Sequence, residues 1–220
     1  LPNFRLPQHI HSRSANAKWL AEIAHRNPLW VHPSDAAKLG VGEGDLLKVE
    51  TEIGWFVDKV WVTEGIKPGI IGCSHHIGRW RRKQDSGNRY MTNEVEIEEL
   101  GGGRMRMRTI SGVRPWESDD PDTNRVWWRD GGVHQNITHA VQPDPISGAH
   151  CWLQKVKISK PIEGERYGDV EVDTNKSFDY YKKWNEMAKE RETHPRGERR
   201  PMWMNRPLPP RKEHWFINRD

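Results

Sequence analysis

Hydrophobic and polar residues follow short, regular patterns over the first 80 positions of the chain. Residues 14–25 carry alanine and leucine at helical spacing, which predicts an amphipathic helix capped by Ser14 or Asn16. Period-two alternation then predicts short strands separated by glycine corners, a pattern typical of a β-barrel. The predicted strands are PLWVH (28–32), DLLKVET (45–51) and two within WFVDKVWVTEGIKPGIIGCS (55–74).

A tight helix-to-strand corner lies between the first two of these strands. PSDAAKLG (33–40) predicts one helical turn that ends at Gly40, and Gly42, Gly44 and Asp45 follow at once. A barrel needs residues of positive φ at such a corner whatever it binds. We therefore interpret these glycines as fold geometry.

The regular pattern weakens after residue 80. Residues 81–130 are polar, glycine-rich and charged, which predicts a long excursion with little regular core. Alternation returns over 152–158, and a helix is predicted at about 177–190, followed by a proline-rich extended arm. We thus predict a barrel domain over residues 1–160 and an arm over residues 161–220 that docks on other domains or subunits.

The composition indicates that part of the chain lies against a partner. Only 34% of residues are hydrophobic, 30% are charged, the mean hydropathy is −0.94, and there are 12 tryptophans. The basic runs at 79–83 and 104–108 predict solvated or interdomain surface, with phosphate neutralisation as the alternative. A net charge of +4 with interleaved signs argues against nucleic acid as a partner. The first residue is Leu1 rather than methionine, which is typical of a processed subunit or an excised piece.

The cysteines and histidines do not predict a metal site. Cys73 and Cys151 lie far apart without CxxC spacing, which favours buried thiols, and two cysteines cannot ligate a complete 4Fe–4S cluster. His75 and His76 are adjacent, but neighbouring residues of a strand face opposite ways and no third ligand stands at helical or hairpin spacing.

Four stretches in one order resemble a known family: HSRSAN (11–16), NPLWVHPSDAAKLGVGEGDLLKVETEIG (27–54), IKPGIIGCSHHIGRW (66–80) and GGVHQNITHAVQPDPISGAHCW (131–152). Together they closely resemble the C-terminal molybdopterin-dinucleotide-binding domain of the dimethyl-sulfoxide-reductase family of molybdenum and tungsten enzymes. The resemblance covers residues ~9–160. It implies a mainly β fold with α additions, a six-stranded double-psi β-barrel with a long insertion and an extended C-terminal arm.

The resemblance also implies a cofactor and a reaction class. Such domains close over two molybdopterin guanine dinucleotides that hold Mo or W, and a 4Fe–4S cluster lies upstream in the full enzyme. The chemistry is two-electron redox in anaerobic respiration, acting on oxygen atoms, hydride or sulfur compounds. The nearest branch is the polysulfide, thiosulfate and arsenate reductases. A formate-dehydrogenase-like enzyme and a cofactor-free structural subunit of an electron-transfer complex are the alternatives.

Partners and compartment follow from the same resemblance. The expected partners are the rest of the catalytic subunit and an iron–sulfur electron-transfer subunit, with a membrane anchor subunit as a further candidate. A periplasmic or membrane-associated location is favoured over a cytoplasmic one. The chain alone is expected to be inactive.

The resemblance places cofactor contacts on four segments that are expected to converge on one rim of the barrel. His32 stands where the family more often has Asn. Turn capping by Asn136, and helix capping by Ser12 and Ser14, remain the alternatives to direct contact. No catalytic residue or metal ligand is assigned. The predicted cofactor-binding residues are His11, Ser12, Ser14, Asn16, His32, Ser34, Asp35, His75, His76, Gly78, His134, Gln135, Asn136 and Thr138.

Overall fold

The computed structural model describes residues 1–84, 91–114, 119–140, 149–150, 153–186, 188–189 and 200–201. The chain divides into two compact units, Leu1–Ala140 with Trp152–Phe178 and Val141–Cys151 with Asp179–Asp220. The second unit contains an antiparallel pair of short strands. Cys151, Trp203 and Trp215 lie outside the described residues, as does the side chain of Trp184, so the predictions of a buried Cys151 thiol and of a docking arm stay predictions. The predicted boundary between residues 160 and 161 stays a prediction.

Strands dominate the first unit, and the helices are few and mostly short. The strands of the whole chain are β1 (Asn3–Phe4), β2 (Leu29–Val31), β3 (Leu46–Glu50), β4 (Gly54–Val62), β5 (Ile71–Ser74), β6 (Trp80–Arg82), β7 (Asn93–Gly101), β8 (Arg104–Ser111), β9 (Lys157–Ser159), β10 (Val170–Asp173), β11 (Ala188–Lys189) and β12 (Arg200–Pro201). The helices are α1 (His11–Ser14), α2 (Lys18–Ile23), α3 (Pro33–Leu39), α4 (Pro121–Asn124) and α5 (Thr174–Glu186), with a 3-10 helix at Gln135–Thr138. None of the helices within the described ranges is both long and apolar enough to cross a membrane.

Strands β1–β10 form one mixed sheet in the order β1-β5-β2-β4-β10-β8-β7-β6, with a branch in which β3 pairs with β4 and β9 pairs with β3. Strand β4 pairs with β3 along one edge, from Trp55 to Lys59. Along its other edge it pairs first with β10 and then, from Val60 onward, with β2. The mainly β character is therefore confirmed. Closure into a six-stranded double-psi barrel stays a prediction.

The prediction of little regular structure over residues 81–130 is wrong, because β7 and β8 form a long antiparallel hairpin there. Over residues 104–108 of β8 every second residue is arginine, and of the methionines between them Met107 is buried in the core. Strand β10 was also missed, although Val170 is fully buried in the main core. Charged residues alternating with apolar ones were read as solvated surface rather than as one face of a strand.

The arginines of residues 104–108 are paired within the protein. Arg104 and Arg106 both donate to the carboxylate of Glu171, and Arg108 donates to Asp169 at 3.0 Å. Burial alone would raise the pKa of Glu171, but the hydrogen bonds from the two arginines outweigh it and lower that pKa. These contacts support the surface interpretation of this run over phosphate neutralisation.

The glycine corner after α3 is fold geometry, as predicted. Gly40 ends the helix in the left-handed region at φ 62°. The N–H of Gly42 donates to Asp45 Oδ2 at 2.8 Å, and the N–H of Gly44 donates to the carbonyl of Val60 at 2.9 Å. The corner thus fixes the start of β3 against β4.

Candidate functional site

Strand β5 separates the predicted site residues into two groups. It pairs antiparallel with β2, so that Val31 lies opposite Ile71. The residue that follows β2, His32, therefore lies at the start of β5, whereas His75 follows its end. Three strand rises place these two ends roughly 10 Å apart. The expectation that all four segments meet at one rim is wrong for His32, Ser34 and Asp35.

Three imidazole rings meet at the C-terminal end of β5. The ring centroids of His75 and His76 lie 4.4 Å apart, and His11 lies 5.0 Å from His75 and 4.7 Å from His76. Because His75 and His76 follow β5 in a bend, their side chains do not alternate as they would within a strand. The expectation that these two rings face opposite ways is therefore wrong, and His11 joins them from a position that is not at helical or hairpin spacing.

The two buried imidazoles of this cluster are neutral at pH 7. Burial, followed by the charges of His76, His11 and Arg5, lowers the pKa of His75 to about 4. Burial is also the main cause that lowers the pKa of His76. The ring Nδ1 of His76 accepts a hydrogen bond from the Leu6 N–H at 3.1 Å. These rings therefore offer lone pairs and N–H donors rather than positive charge.

The 3-10 helix lies against the same end of β5, but its polar side chains bond within the protein. Asn136 Nδ2 donates to the carbonyl of His75 at 3.0 Å, and Gln135 Nε2 donates to Asn136 Oδ1 at 3.0 Å. The hydroxyl of Thr138 donates to the Gln135 carbonyl at 2.8 Å. His134 is half-buried, and burial followed by the charge of Arg79 lowers its pKa. These contacts support the alternative in which Asn136 caps a turn instead of contacting the cofactor directly.

Asn27 and Gly78 both position the C-terminal end of β5, but only Gly78 was predicted from the sequence. Asn27 was not predicted, yet it is buried and donates to the carbonyls of Ser74 and Val133, both at 2.9 Å. A Cβ added to Gly78 would lie 2.2 Å from the Val133 carbonyl oxygen, which explains the glycine predicted there. The partners of Asn27 are distant in sequence, so only its position beside a strand could have drawn attention to it.

The segment around α1 turns one predicted side chain inward. Ser14 is buried, and its Oγ accepts from the Ile10 N–H at 2.8 Å and lies 3.2 Å from His9 Nδ1. It therefore holds the turn before α2. The predicted side-chain caps of α2 are wrong, because its cap is Ala17 and no side chain bonds there. Asn16 is half-buried in this turn, and the side chain of Ser12 lies outside the described residues.

At the opposite end of β5, the residues after β2 cap α3. His32 Nδ1 accepts from the Ser34 N–H at 3.2 Å. The carboxylate of Asp35 accepts from the Gly69 N–H and from Lys38 Nζ, the latter at 3.1 Å. The Gly69 N–H first, and then Lys38, lower the pKa of Asp35, so this carboxyl is ionised at pH 7.

A cleft of about 550 Å³ opens beside Asp35. Its polar lining includes Lys38 and Lys155, and its apolar lining is Leu1, Leu39, Ile71, Val156 and Ile158. This volume lies in the range of small-molecule sites. An apolar floor suits a planar base, a carboxylate suits the N–H edge of guanine, and lysines suit phosphates. The chemistry of this set therefore fits a nucleotide. The lysines were not predicted, although Lys38 stands one helical turn after Asp35.

The family model described as Molydopterin dinucleotide binding domain matches residues 1–104 of the chain. The chain is 36% identical over 115 residues to the molybdopterin-containing subunit of the arsenate respiratory reductase of Chrysiogenes arsenatis, which covers 49% of this chain and 12% of that protein. It is 32% identical over 92 residues to a Halobacterium salinarum protein assigned as a dimethyl sulfoxide reductase catalytic subunit, covering 42% and 11%. It is 30% identical over 79 residues to the trimethylamine-N-oxide reductase of Haemophilus influenzae, covering 36% and 9%.

Proposed function

We propose that this chain is the cofactor-binding part of a larger molybdenum or tungsten oxidoreductase subunit, because the molydopterin dinucleotide binding domain model matches its residues 1–104. The family match is the observation that carries this proposal, because the matched range contains both ends of β5. The matches span between 9% and 12% of the length of the relatives, which is consistent with one domain of a much longer protein.

The two ends of β5 would hold different parts of the cofactor. The cleft beside Asp35, Lys38 and Lys155 would take the guanine nucleotide, while His75 and His134 would face the pterin. When bound, two molybdopterin guanine dinucleotides with Mo or W supply the two-electron redox chemistry. A 4Fe–4S cluster and any protein ligand of the metal would come from elsewhere in the full subunit.

The described residues bind and orient the cofactor in this proposal. Lys38 and Lys155 neutralise phosphate charge, and Asp35 accepts from the base. The neutral ring of His75 offers a hydrogen bond without adding charge beside the metal centre. Gln135, Asn136 and Thr138 act through the turn that they hold. The proposed closure of the sheet as a double-psi barrel would keep these groups on one scaffold.

Within the family, we propose a reductase of the polysulfide, thiosulfate or arsenate type that works in anaerobic respiration. The relative named an arsenate respiratory reductase supports this branch. A formate-dehydrogenase-like enzyme is the alternative. The proposed partners are the rest of the catalytic subunit, an iron–sulfur subunit and a membrane anchor subunit, and the proposed location is periplasmic or membrane-associated.

The substitution Asn136→Asp tests the pterin end of the site. Aspartate places a carboxylate oxygen against the carbonyl of His75, where the amide now donates at 3.0 Å. We expect pterin and metal per purified subunit to fall severalfold while the circular dichroism spectrum persists. Asn175→Asp is the matched control, because Asn175 also donates to a backbone carbonyl, that of Gly102, on an exposed surface beyond the site. Full cofactor content in the Asn136 variant would contradict the assignment.

A cofactor-free structural subunit is the competing proposal. The internal bonding of Gln135 and Asn136 favours it, since neither amide needs a ligand to satisfy its hydrogen bonds. Oxidised, heat-released extract of the intact protein shows pterin fluorescence only if the cofactor is bound. A complete lack of that fluorescence, in protein purified from cells that make the cofactor, would favour the structural role.

A further inference from the structure

The three imidazoles at the end of β5 form a compact set of nitrogen ligands. One ring nitrogen from each of His11, His75 and His76 can be chosen so that all three lie within 4.8 Å of one another. A tetrahedral Zn²⁺ holds nitrogen atoms at about 2.0–2.1 Å, which brings ligand pairs to about 3.4 Å. Each ring would therefore need to move by about 1 Å to close around one ion.

The backbone of His11 supports a functional role for this cluster. Among the described residues it is the single non-glycine position with positive φ, at 40°. Strained backbone of this kind persists mainly where the surrounding structure requires it, and it clusters at binding sites. The side chain of His11 is also exposed on the short helix α1, so that an ion can enter and this ring can adjust.

The second nitrogen of each buried ring is held by backbone. His75 hydrogen-bonds the backbone of Phe4, and His76 Nδ1 accepts from the Leu6 N–H. The bond of His75 is of the kind that commonly orients a metal-bound imidazole, in which the second ring nitrogen donates, whereas the bond that His76 Nδ1 accepts is not. Ligation through His76 Nε2 would move the ring proton to Nδ1, so Leu6, which follows β1, would have to turn its N–H away. The charge of Arg5 opposes a cation here, and three nitrogen lone pairs have to outweigh it.

We propose that His11, His75 and His76 bind one divalent transition-metal ion when the dinucleotide cofactor is absent. Three imidazole nitrogens and one water make an open tetrahedral site of the type that Zn²⁺ prefers, and imidazole also suits Cu²⁺ and Ni²⁺. All three ligands come from this chain, so the site does not rest on the proposed cofactor function. Cofactor seated on His75 would compete with the ion.

The test uses the intact protein freed of cofactor, with Co²⁺ as the probe because tetrahedral Co²⁺ absorbs visible light. We expect wild-type protein to retain one more equivalent of Co²⁺ than His11→Ala or His76→Gln after gel filtration. Zn²⁺ should displace this equivalent and bleach its absorption. Loss of one ligand should weaken binding by roughly tenfold or more. His32→Gln is the matched control, because His32 lies at the other end of β5, and it should bind as wild type does.

The proposal is overturned if all four proteins retain the same number of equivalents, or if wild type gives no tetrahedral absorption. His11 is exposed, so His11→Ala is expected to preserve the circular dichroism spectrum, and this variant decides the outcome if His76→Gln fails to fold. The measurement is made without cofactor, so a failure of the proposed cofactor function leaves its result unchanged.

Discussion

The side-chain amide of Asn27 forms a two-way hydrogen bond with the backbone of Val133. Its Oδ1 accepts from the Val133 N–H at 2.8 Å, and its Nδ2 donates to the Val133 carbonyl at 2.9 Å. The same amide nitrogen donates to Ser74, the residue before His75. One buried side chain therefore fixes the loop after β5 and the segment before the 3-10 helix relative to each other.

We predict that Asn27→Ala lowers the free energy of unfolding by roughly 3 kcal/mol, because it leaves several buried backbone groups without a partner. Denaturant unfolding of the purified protein measures this change. Asn175→Ala, which removes an exposed amide, should change the value by less than about 0.5 kcal/mol. Equal effects of the two substitutions would contradict the role given to Asn27.

Gly78→Ala should be far more damaging than Gly44→Ala, although both glycines have positive φ, 91° and 80°. Alanine at Gly44 meets nothing within 4 Å, so its cost is the backbone strain of about 1 kcal/mol. At Gly78 the new methyl would stand 2.2 Å from the Val133 carbonyl oxygen, which forces the two segments apart. Thermal unfolding of both variants makes the comparison, and similar melting temperatures would refute the close approach.

The buried carboxyl of Asp58 predicts that stability is lost as the pH rises above about 4. Burial raises the pKa of this carboxyl well above 3.8; Asp130 raises it further, while the Lys59 N–H and the charges of Lys59 and Arg26 act against the rise. A raised pKa in the folded state stabilises at low pH, and this contribution is lost as the pH rises from about 4 through the folded pKa. Asp58→Asn keeps the acceptor for the Lys59 N–H at 2.7 Å. We expect its unfolding free energy to depend less on pH than that of wild type; identical slopes would count against the prediction.

The His75 ring should titrate with a pKa of about 4, with burial as the main cause and His76 as the next. Replacing His76 by Gln removes that second contribution, so the pKa of His75 should rise. Because the folded pKa is lowered, protonation favours the unfolded state, and stability should be lost as the pH falls below about 6.5. NMR titration of labelled histidines in metal-free protein measures both values. An ordinary pKa for His75 in wild type would show that the ring is more hydrated than its position indicates.

The sequence predicted those helices and strands whose bounds depend on residues within the element itself. The helix α3 and its glycine end were predicted because Pro33 fixes its own φ at a helical value and Gly40 readily adopts the left-handed conformation that ends a helix. Strands β2 and β3 were recognised for a similar reason, since their apolar alternation matches one buried face. In β7 and β8 the alternation is present, but charged residues occupy the other positions and concealed it.

The arrangement of the site depends on contacts between residues that are distant in the sequence, so it could not be predicted from short segments. His11 reaches His75 and His76 only because β1 lies parallel to β5, which brings the start of the chain to the end of that strand. The same holds for the division of the predicted residues between the two ends of β5, because pairing direction is a tertiary property. The residue types near the imidazole cluster were predicted, and the inward bonding of Asn136 corresponds to the turn-capping alternative, whereas the bond that Ser14 accepts from the Ile10 N–H was not predicted.

The link between Asn27 and Val133 also sets a time for folding during synthesis. These residues are 106 positions apart. At roughly 5–20 residues per second, the ribosome needs about 5–20 s to extend the chain from one to the other. During that interval the buried amide of Asn27 and the carbonyl of Ser74 lack their native arrangement, so the nascent chain exposes an incomplete core to chaperones and to other chains. The two loops that Asn27 joins can take their native arrangement only after Val133 has emerged, so a ligand that needs both loops can bind only after that point.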